Sequence, residues 1–190
     1  MRRALSSGMT SRIYTVGHSN RMAEALVALL AANAVDLVVD VRRFPRSRRH
    51  PQFNMETLPT LLADYAIGYR HVESLGGRRR SSLADNASPN AGWREPGFRN
   101  FADYALTRPF RAGLAALLDL AEGATPVVMC AEALWWQCHR RIITDYLLAA
   151  GAEVLHILGE EPARPATLTP GAVVQKDGGV HYPPAEPRLL

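Results

Sequence analysis

Short apolar runs alternate with amphipathic segments along most of this chain, and that alternation limits the fold more than any other feature of the sequence. Runs typical of buried strands occupy residues 12–16, 37–41, 68–72, 126–130 and 153–157. Apolar residues recur at helical spacing over residues 22–30, 55–65, 98–106, 110–122 and 135–150. Because strands that alternate with helices form βαβ units, the sequence predicts an α/β fold. We expect one parallel, Rossmann-like sheet of about five strands with helices on both faces.

Local signals refine the ends of these elements. Asn20 is suited to cap the first helix. Gly151 follows the last predicted helix, and a glycine just beyond the C-terminus ends many helices. Residues 73–97 are rich in glycine and proline, so we predict a long irregular loop there. A loop of this length inside a compact domain is usually functional or mobile.

The sequence predicts a single domain with two different ends. Residues 12–158 carry the alternating pattern, residues 1–11 are polar and predicted to be flexible, and residues 159–190 form a proline-rich extension packed on the same domain. Within that extension, residues 173–175 and 180–182 flank a glycine-containing turn, which predicts a β-hairpin.

Length and composition indicate a soluble cytoplasmic protein without a membrane partner. The 190 residues suit one domain, and no apolar run approaches the roughly 20 residues of a membrane helix. The first twelve residues lack the apolar core of a signal peptide. The chain has two cysteines, and a disulfide between Cys130 and Cys138 is disfavoured in the cytosol.

The basic residues point to an anionic partner. Formal net charge is +4, and Lys176 is the only lysine among 22 basic residues. Arginine binds phosphate through a planar fork of donors, although high genomic GC content also favours arginine. Residues 42–49 hold five arginines and residues 78–80 hold three, which predicts binding of phosphate on a nucleotide or nucleic acid. The alternative for these segments is a solvated basic loop.

Polar groups follow several predicted strands, where parallel sheets bind ligands. We predict Cys130, Glu132 and His18 as catalytic residues. We predict a ligand-binding set of Ser19, Asp40, Arg42, Arg46, Arg78, His139 and Arg140. Asp40 and Arg42 are two residues apart and, on a continuing strand, share a face as an ion pair.

Each predicted catalytic residue has a structural alternative. Cys130 ends an apolar strand before a helix, so it is a nucleophile, a redox thiol, a metal ligand or a small buried residue. Glu132 is either a general base or a helix-capping carboxylate. His18 follows a glycine at a strand-to-helix turn and is either an acid–base group or a hydrogen-bonded structural histidine.

The sequence disfavours a zinc site, and we assign no metal ligand from it. The predicted helix over residues 135–150 places Cys138 among core residues. Neighbouring helical positions diverge by about 100°, so at most two of Cys138, His139 and Arg140 face one ligand. A zinc site made of Cys130, Cys138, His139 and His18 would be strained from the outset.

Several motifs together resemble the bacterial and archaeal family known as domain of unknown function 488. They are TVGHS (15–19), DVRRFPRS (40–47), PQFN (51–54), LGGR (75–78), FR (98–99) with Tyr104, MCAE (129–132) and CHR (138–140). They run in order over roughly three-quarters of the chain. The resemblance implies a compact α/β domain with its site at these motifs, and it implies no particular substrate.

These observations predict an enzyme-like protein that binds a phosphate-bearing ligand beside a strand-end cysteine. A non-catalytic nucleic-acid-binding module is the first alternative. A metal-dependent enzyme and a rhodanese-like sulfur carrier using Cys130 are the others. The sequence identifies no cofactor: it contains no P-loop, dinucleotide-binding glycine motif or zinc-protease motif.

Overall fold

A computed structural model describes residues 11–80 and 88–185, so the flexibility predicted for residues 1–11 falls almost wholly outside the described residues. The strands are β1 Arg12–Gly17, β2 Leu37–Asp40, β3 Gly68–His71, β4 Pro126–Cys130, β5 Glu153–Ile157, β6 Arg164–Pro165, β7 Val173–Val174 and β8 Val180–His181. The helices are α1 Ala23–Ala32, α2 Leu58–Ala63, α3 Pro96–Ala105, α4 Arg108–Leu120 and α5 Arg140–Ala149.

The central sheet has the strand order β3-β2-β4-β1-β5-β6. Pairings among the first five strands are parallel, and only β6 runs antiparallel, against β5. The predicted α/β fold with a mostly parallel sheet is therefore confirmed. The structure adds β6, which the sequence does not reveal because Arg164–Pro165 has two exposed residues and no apolar run.

Helices cover both faces of the sheet, because successive residues of the buried strands point to opposite sides. Val38 and Val127 pack with α1 and α2 on one face. Val39 and Val128 pack with α3, α4 and α5 on the other. All four side chains are fully buried, which explains why these strands are continuous apolar runs.

Several predicted element ends are wrong, and each has a local cause. Helix α1 has Met22 at its N-cap instead of Asn20, whose side-chain oxygen accepts a hydrogen bond from Ser19. Helix α2 is six residues long, because Pro59 lies in its first turn and a left-handed residue, Ala66, soon follows its end. Gly151 has φ of +86° directly after α5 and its C-cap residue, as predicted.

The predicted C-terminal hairpin is confirmed. Val173 pairs with His181 and Val174 with Val180. The hairpin is held to the domain by Tyr182, whose hydroxyl donates to Asp145 at 2.7 Å and whose backbone N–H donates to Asn90 at 3.0 Å. Among the described helices, none is long and apolar enough to cross a bilayer.

Candidate functional site

A cavity of about 540 Å³ opens at the carboxyl ends of β1, β2 and β4. This is the edge at which open parallel sheets bind ligands. Its wall combines basic and sulfur-bearing side chains, namely Arg42, Arg43, Arg46, Arg78, Cys130, Cys138 and His139. The cavity therefore brings the two sequence features with chemical potential, the arginines and the cysteines, to one place.

Three side chains at the cavity form a Cys–Cys–His cluster of Cys130, Cys138 and His139. Their sulfur and imidazole nitrogen atoms all lie within 4.8 Å of one another. His139 Nδ1 is 3.8 Å from Cys130 Sγ and 3.5 Å from Cys138 Sγ. The cysteines are 6% and 3% exposed, and both are free thiols.

The path of the chain after β4 creates this cluster and corrects a prediction. The expected helix over residues 135–150 does not begin at 135: a single 3-10 turn, Trp135–Gln137, is followed by Cys138 in an extended conformation with φ of −129°. Helix α5 begins only at Arg140. The helical premise is therefore wrong, because Cys138 is extended and turns back toward Cys130. Two of the three residues, Cys138 and His139, nevertheless face one site, which is the number the argument allowed.

The orientation of His139 is fixed by three neighbours. Its Nε2 lies 3.1 Å from the backbone oxygen of Val41 and donates to it. The Phe101 ring packs edge-on at 4.9 Å between centroids. Gly77 lies so close that an added Cβ would be 2.8 Å from His139 Nδ1. With Nε2 carrying the donated proton, Nδ1 faces the two sulfur atoms.

Arg140 packs against the buried side of the cluster. It is 1% exposed, and its Nε lies 3.4 Å and its backbone N–H 3.5 Å from Cys138 Sγ. Its Nη2 donates to the backbone oxygen of Glu132 at 2.5 Å. The sequence predicts that Arg140 binds ligand. In the structure, the Arg140 side chain instead contacts Cys138 and the loop that precedes it.

The two thiols have pKa values displaced in opposite directions. Burial raises the pKa of Cys138, but the hydrogen bond from Cys130, with His139 and Arg140, outweighs burial and holds that pKa well below its usual range. The hydrogen bond to Cys138 and burial raise the pKa of Cys130. The donors around Cys138, from Arg140 in particular, thus favour a thiolate at this position.

Asp40 and Arg42 form the ion pair that their spacing predicts. Arg42 Nη2 lies 2.5 Å from Asp40 Oδ2, and its Nε donates to Oδ1 at 2.9 Å. Tyr69 also donates to Asp40, which is fully buried. Asp40 therefore acts on Arg42 and does not reach the cavity. Arg42 also donates hydrogen bonds to the Phe53 backbone oxygen and to His18.

His18 lines the cavity but has partners at both ring nitrogens. Nδ1 donates to the backbone oxygen of Ser19 at 2.9 Å, and Nε2 accepts from Arg42 at 3.2 Å. Burial, followed by the positive charge of Arg42, lowers the pKa of His18 to about 4. In this arrangement a neutral His18 orients Arg42, and neither nitrogen is free to exchange a proton with a ligand.

The remaining predicted residues lie at different depths. Arg78 and Glu132 are exposed on the cavity wall, and Arg46 is 73% exposed there and paired with Glu56 at 2.6 Å. Ser19 follows β1 with a left-handed φ of 50° but lies outside the cavity wall. The structure therefore brings Arg46, Arg78 and Glu132 to the site and leaves Ser19 beside it.

Sequence reasoning missed two features of the site. Arg43 lines the cavity, and its Nη1 donates to the backbone oxygen of Arg78 at 2.7 Å. This hydrogen bond links the two arginine-rich segments, residues 42–49 and 78–80. Cys138 lies in the core as predicted, but its sulfur also faces the cluster, 3.5 Å from His139 Nδ1. The Cys-His-Arg run after a tryptophan-rich turn is the one signal that identifies this second sulfur.

Comparisons with known proteins identify the family and nothing further. A family model described as Domain of unknown function DUF488 matches residues 22–147, about two-thirds of the chain. No curated protein and no solved structure matches this chain significantly. The chain belongs to the DUF488 family, as its motifs suggest.

Proposed function

We propose that this DUF488 protein is an enzyme that binds a phosphate-bearing ligand in the cavity, against the Cys–Cys–His cluster. The observation that carries the proposal is that four arginines, Arg42, Arg43, Arg46 and Arg78, share one cavity wall with the cluster. Arg42 and Arg46 are already paired with Asp40 and Glu56, which leaves Arg43 and Arg78 as the arginines of this wall without an ion-pair partner among the described residues.

The donors available to an anion can be counted. Arg42 has five N–H donors, of which the contacts to Asp40, Phe53 and His18 use four, so one Nη1–H is left for a ligand. Arg78 is exposed, and its guanidinium has no partner among the described residues. Arginine at such a position suits a phosphate oxygen, because two parallel N–H groups match its geometry.

Size and position also support a small phosphate-bearing substrate. Ligand pockets commonly measure roughly 300–1,000 Å³, and this cavity of about 540 Å³ falls within that range. The cluster lies on the same wall as the arginines, so a bound anion would meet sulfur and imidazole groups. Arginines that hold the ligand and a separate reactive centre are the two parts that an enzyme of this kind requires.

Calorimetric titration of reduced protein with inorganic phosphate and with ADP tests this proposal. We expect Arg78→Gln to weaken binding by roughly 10- to 100-fold, since a hydrogen bond to a charged group contributes about 1.5–3 kcal/mol. Arg108→Gln is the matched control, because it removes the same charge from an exposed position outside the cavity. Equal affinity of the two variants, or no binding by the unaltered protein, would contradict the proposal.

A single-stranded nucleic acid is the second candidate ligand, and Phe44 favours it. This ring is 64% exposed at the cavity, with the Arg43 guanidinium 5.4 Å from its centroid. An exposed aromatic ring in an arginine-rich segment is suited to stack on a base. In that case Phe44→Ala weakens binding of a labelled oligonucleotide in fluorescence anisotropy, and affinity falls steeply with salt. Oligonucleotide binding that is insensitive to Phe44 would exclude this candidate.

A further inference from the structure

We propose that Cys130, Cys138 and His139 form a zinc-binding site whose fourth coordination position opens to the cavity. This inference deepens the proposed function by assigning the reactive centre, and it rests on that function only for the ligand that approaches the metal. The site itself rests on geometry. Among the described residues, these three are the one group of three or more metal-ligating side chains with converging atoms.

The distances match a zinc polyhedron. Zinc binds cysteine sulfur at about 2.3 Å and histidine nitrogen at about 2.0–2.1 Å, with tetrahedral angles. Those bond lengths separate sulfur from nitrogen by about 3.5–3.6 Å across one edge. The distances from His139 Nδ1 to Cys138 Sγ and Cys130 Sγ are 3.5 Å and 3.8 Å. Both sulfur–nitrogen edges are thus within about 0.3 Å of those of a zinc site, and the two sulfurs lie within 4.8 Å of each other.

The groups behind the ligands are those of a metal site. A ligating histidine almost always donates its second ring N–H to a carboxylate, a carbonyl or water. His139 Nε2 does so to the Val41 backbone oxygen at 3.1 Å, leaving Nδ1 for the metal. Arg140 places its backbone N–H and its Nε 3.5 Å and 3.4 Å from Cys138 Sγ, and such donors compensate the charge of a coordinated thiolate.

The donor set selects the class of metal. Two sulfurs and one imidazole suit zinc and other soft or borderline ions, whereas magnesium and calcium prefer oxygen. Binding forms two metal–sulfur bonds and one metal–nitrogen bond, releases the thiol protons to solvent and changes no oxidation state. Three protein ligands with a fourth position open to a cavity are the pattern of catalytic zinc sites, while structural sites are closed by four.

The test begins with the reduced, full-length protein freed of metal. Zinc is titrated in competition with a chromophoric chelator, and one zinc ion per chain is expected. Cobalt is titrated in parallel, because thiolate-to-cobalt charge-transfer bands and strong tetrahedral visible bands report sulfur ligation directly and need no variant. Zinc bound at one equivalent with these cobalt bands supports the site. No stoichiometric zinc, or cobalt without the charge-transfer bands, would overturn it.

Ligand variants locate the metal. Cys138→Ser and His139→Ala are each expected to weaken zinc binding by more than about 100-fold, beyond the range typical of outer-shell changes. Arg108→Gln is the control, since it changes an exposed residue outside the cavity and no proposed ligand, and it is expected to bind zinc normally. Unchanged zinc affinity in both ligand variants would contradict the inference.

The two proposals fail separately. Phosphate binding that depends on Arg78 without any zinc binding would overturn the metal site alone. Stoichiometric zinc at the cluster without phosphate binding would overturn the proposed ligand and leave the metal site standing. If an added thiol oxidant such as diamide, which is itself reduced to the hydrazine, forms the Cys130–Cys138 disulfide as fast in zinc-treated protein as in metal-free protein, the metal site is contradicted, because zinc coordination would protect both thiols.

Discussion

Replacement of Gly77 by alanine should displace one residue of the cluster, although none of the three cluster residues is itself replaced. A Cβ at this position would lie 2.8 Å from His139 Nδ1 and 3.0 Å from its Cγ. Ordinary contact begins at 3.4 Å, so the imidazole would have to retreat by about 0.6 Å, the difference between 3.4 Å and 2.8 Å. Phe101 and the Val41 backbone oxygen restrict that retreat.

The size of the effect follows from the tolerance of metal sites. Zinc–ligand distances vary by only about 0.2 Å, so a nitrogen displaced by about three times that amount no longer completes the site well. We expect Gly77→Ala to lower zinc affinity by about 10- to 100-fold, the range for changes that disturb ligand orientation. The cobalt charge-transfer bands should persist, because both sulfurs stay in place.

Gly97→Ala is the control for this experiment. Gly97 also lines the cavity, but an added Cβ would meet no atom within 4 Å. It lies in the first turn of α3, where alanine favours the helix. Zinc affinity measured by chelator competition should be unchanged in this variant. Wild-type affinity in Gly77→Ala, or equal losses in both variants, would refute the reasoning from the position of His139.

Two further predictions concern stability. Asp40→Ala should lower the free energy of unfolding by about 3–5 kcal/mol in urea titrations, because Arg42 is left charged and buried. Asp64→Ala, at an exposed carboxylate, is the control. Similar losses in both variants would argue against the ion pair. Burial lowers the pKa of His156 from 6.5 to about 4, so the unfolded chain binds its proton more readily. Stability from this group is full above pH 6.5 and is lost as pH falls toward 4, by at most about 3 kcal/mol. His156→Gln should flatten that part of the pH profile, and an unchanged slope would contradict the assignment.

The sheet could be predicted because its strands are buried on both faces. Val38, Val39, Val127 and Val128 have no exposed surface, and such strands are continuous apolar runs in any sequence of this fold. The convergence of Arg42 and Cys130 on one cavity followed from the same rule, since parallel strands end at one edge.

The sequence raises Cys130, Cys138 and His139 as zinc ligands but argues against them, because the helix break that brings them together is hidden by the local pattern. Cys138, Ile142 and Tyr146 continue a helical spacing, and that spacing predicts one uninterrupted helix. The extended conformation of Cys138 is stabilised instead by contacts with Cys130 and Arg140, and the first of these depends on the path of β4. The contact between His18 and Arg42 could not be predicted either, because these residues are 24 positions apart in the sequence.

The Cys–Cys–His cluster, beside the arginines of the cavity wall, is the centre of the function that we propose. Anomalous diffraction at the zinc absorption edge, from crystals of reduced protein grown with zinc, tests that claim most directly. We predict one strong peak at bonding distance from Cys130 Sγ, Cys138 Sγ and His139 Nδ1, with its open side toward Arg42 and Arg78. A map with no peak among these three atoms, or with zinc bound only elsewhere, would contradict the account.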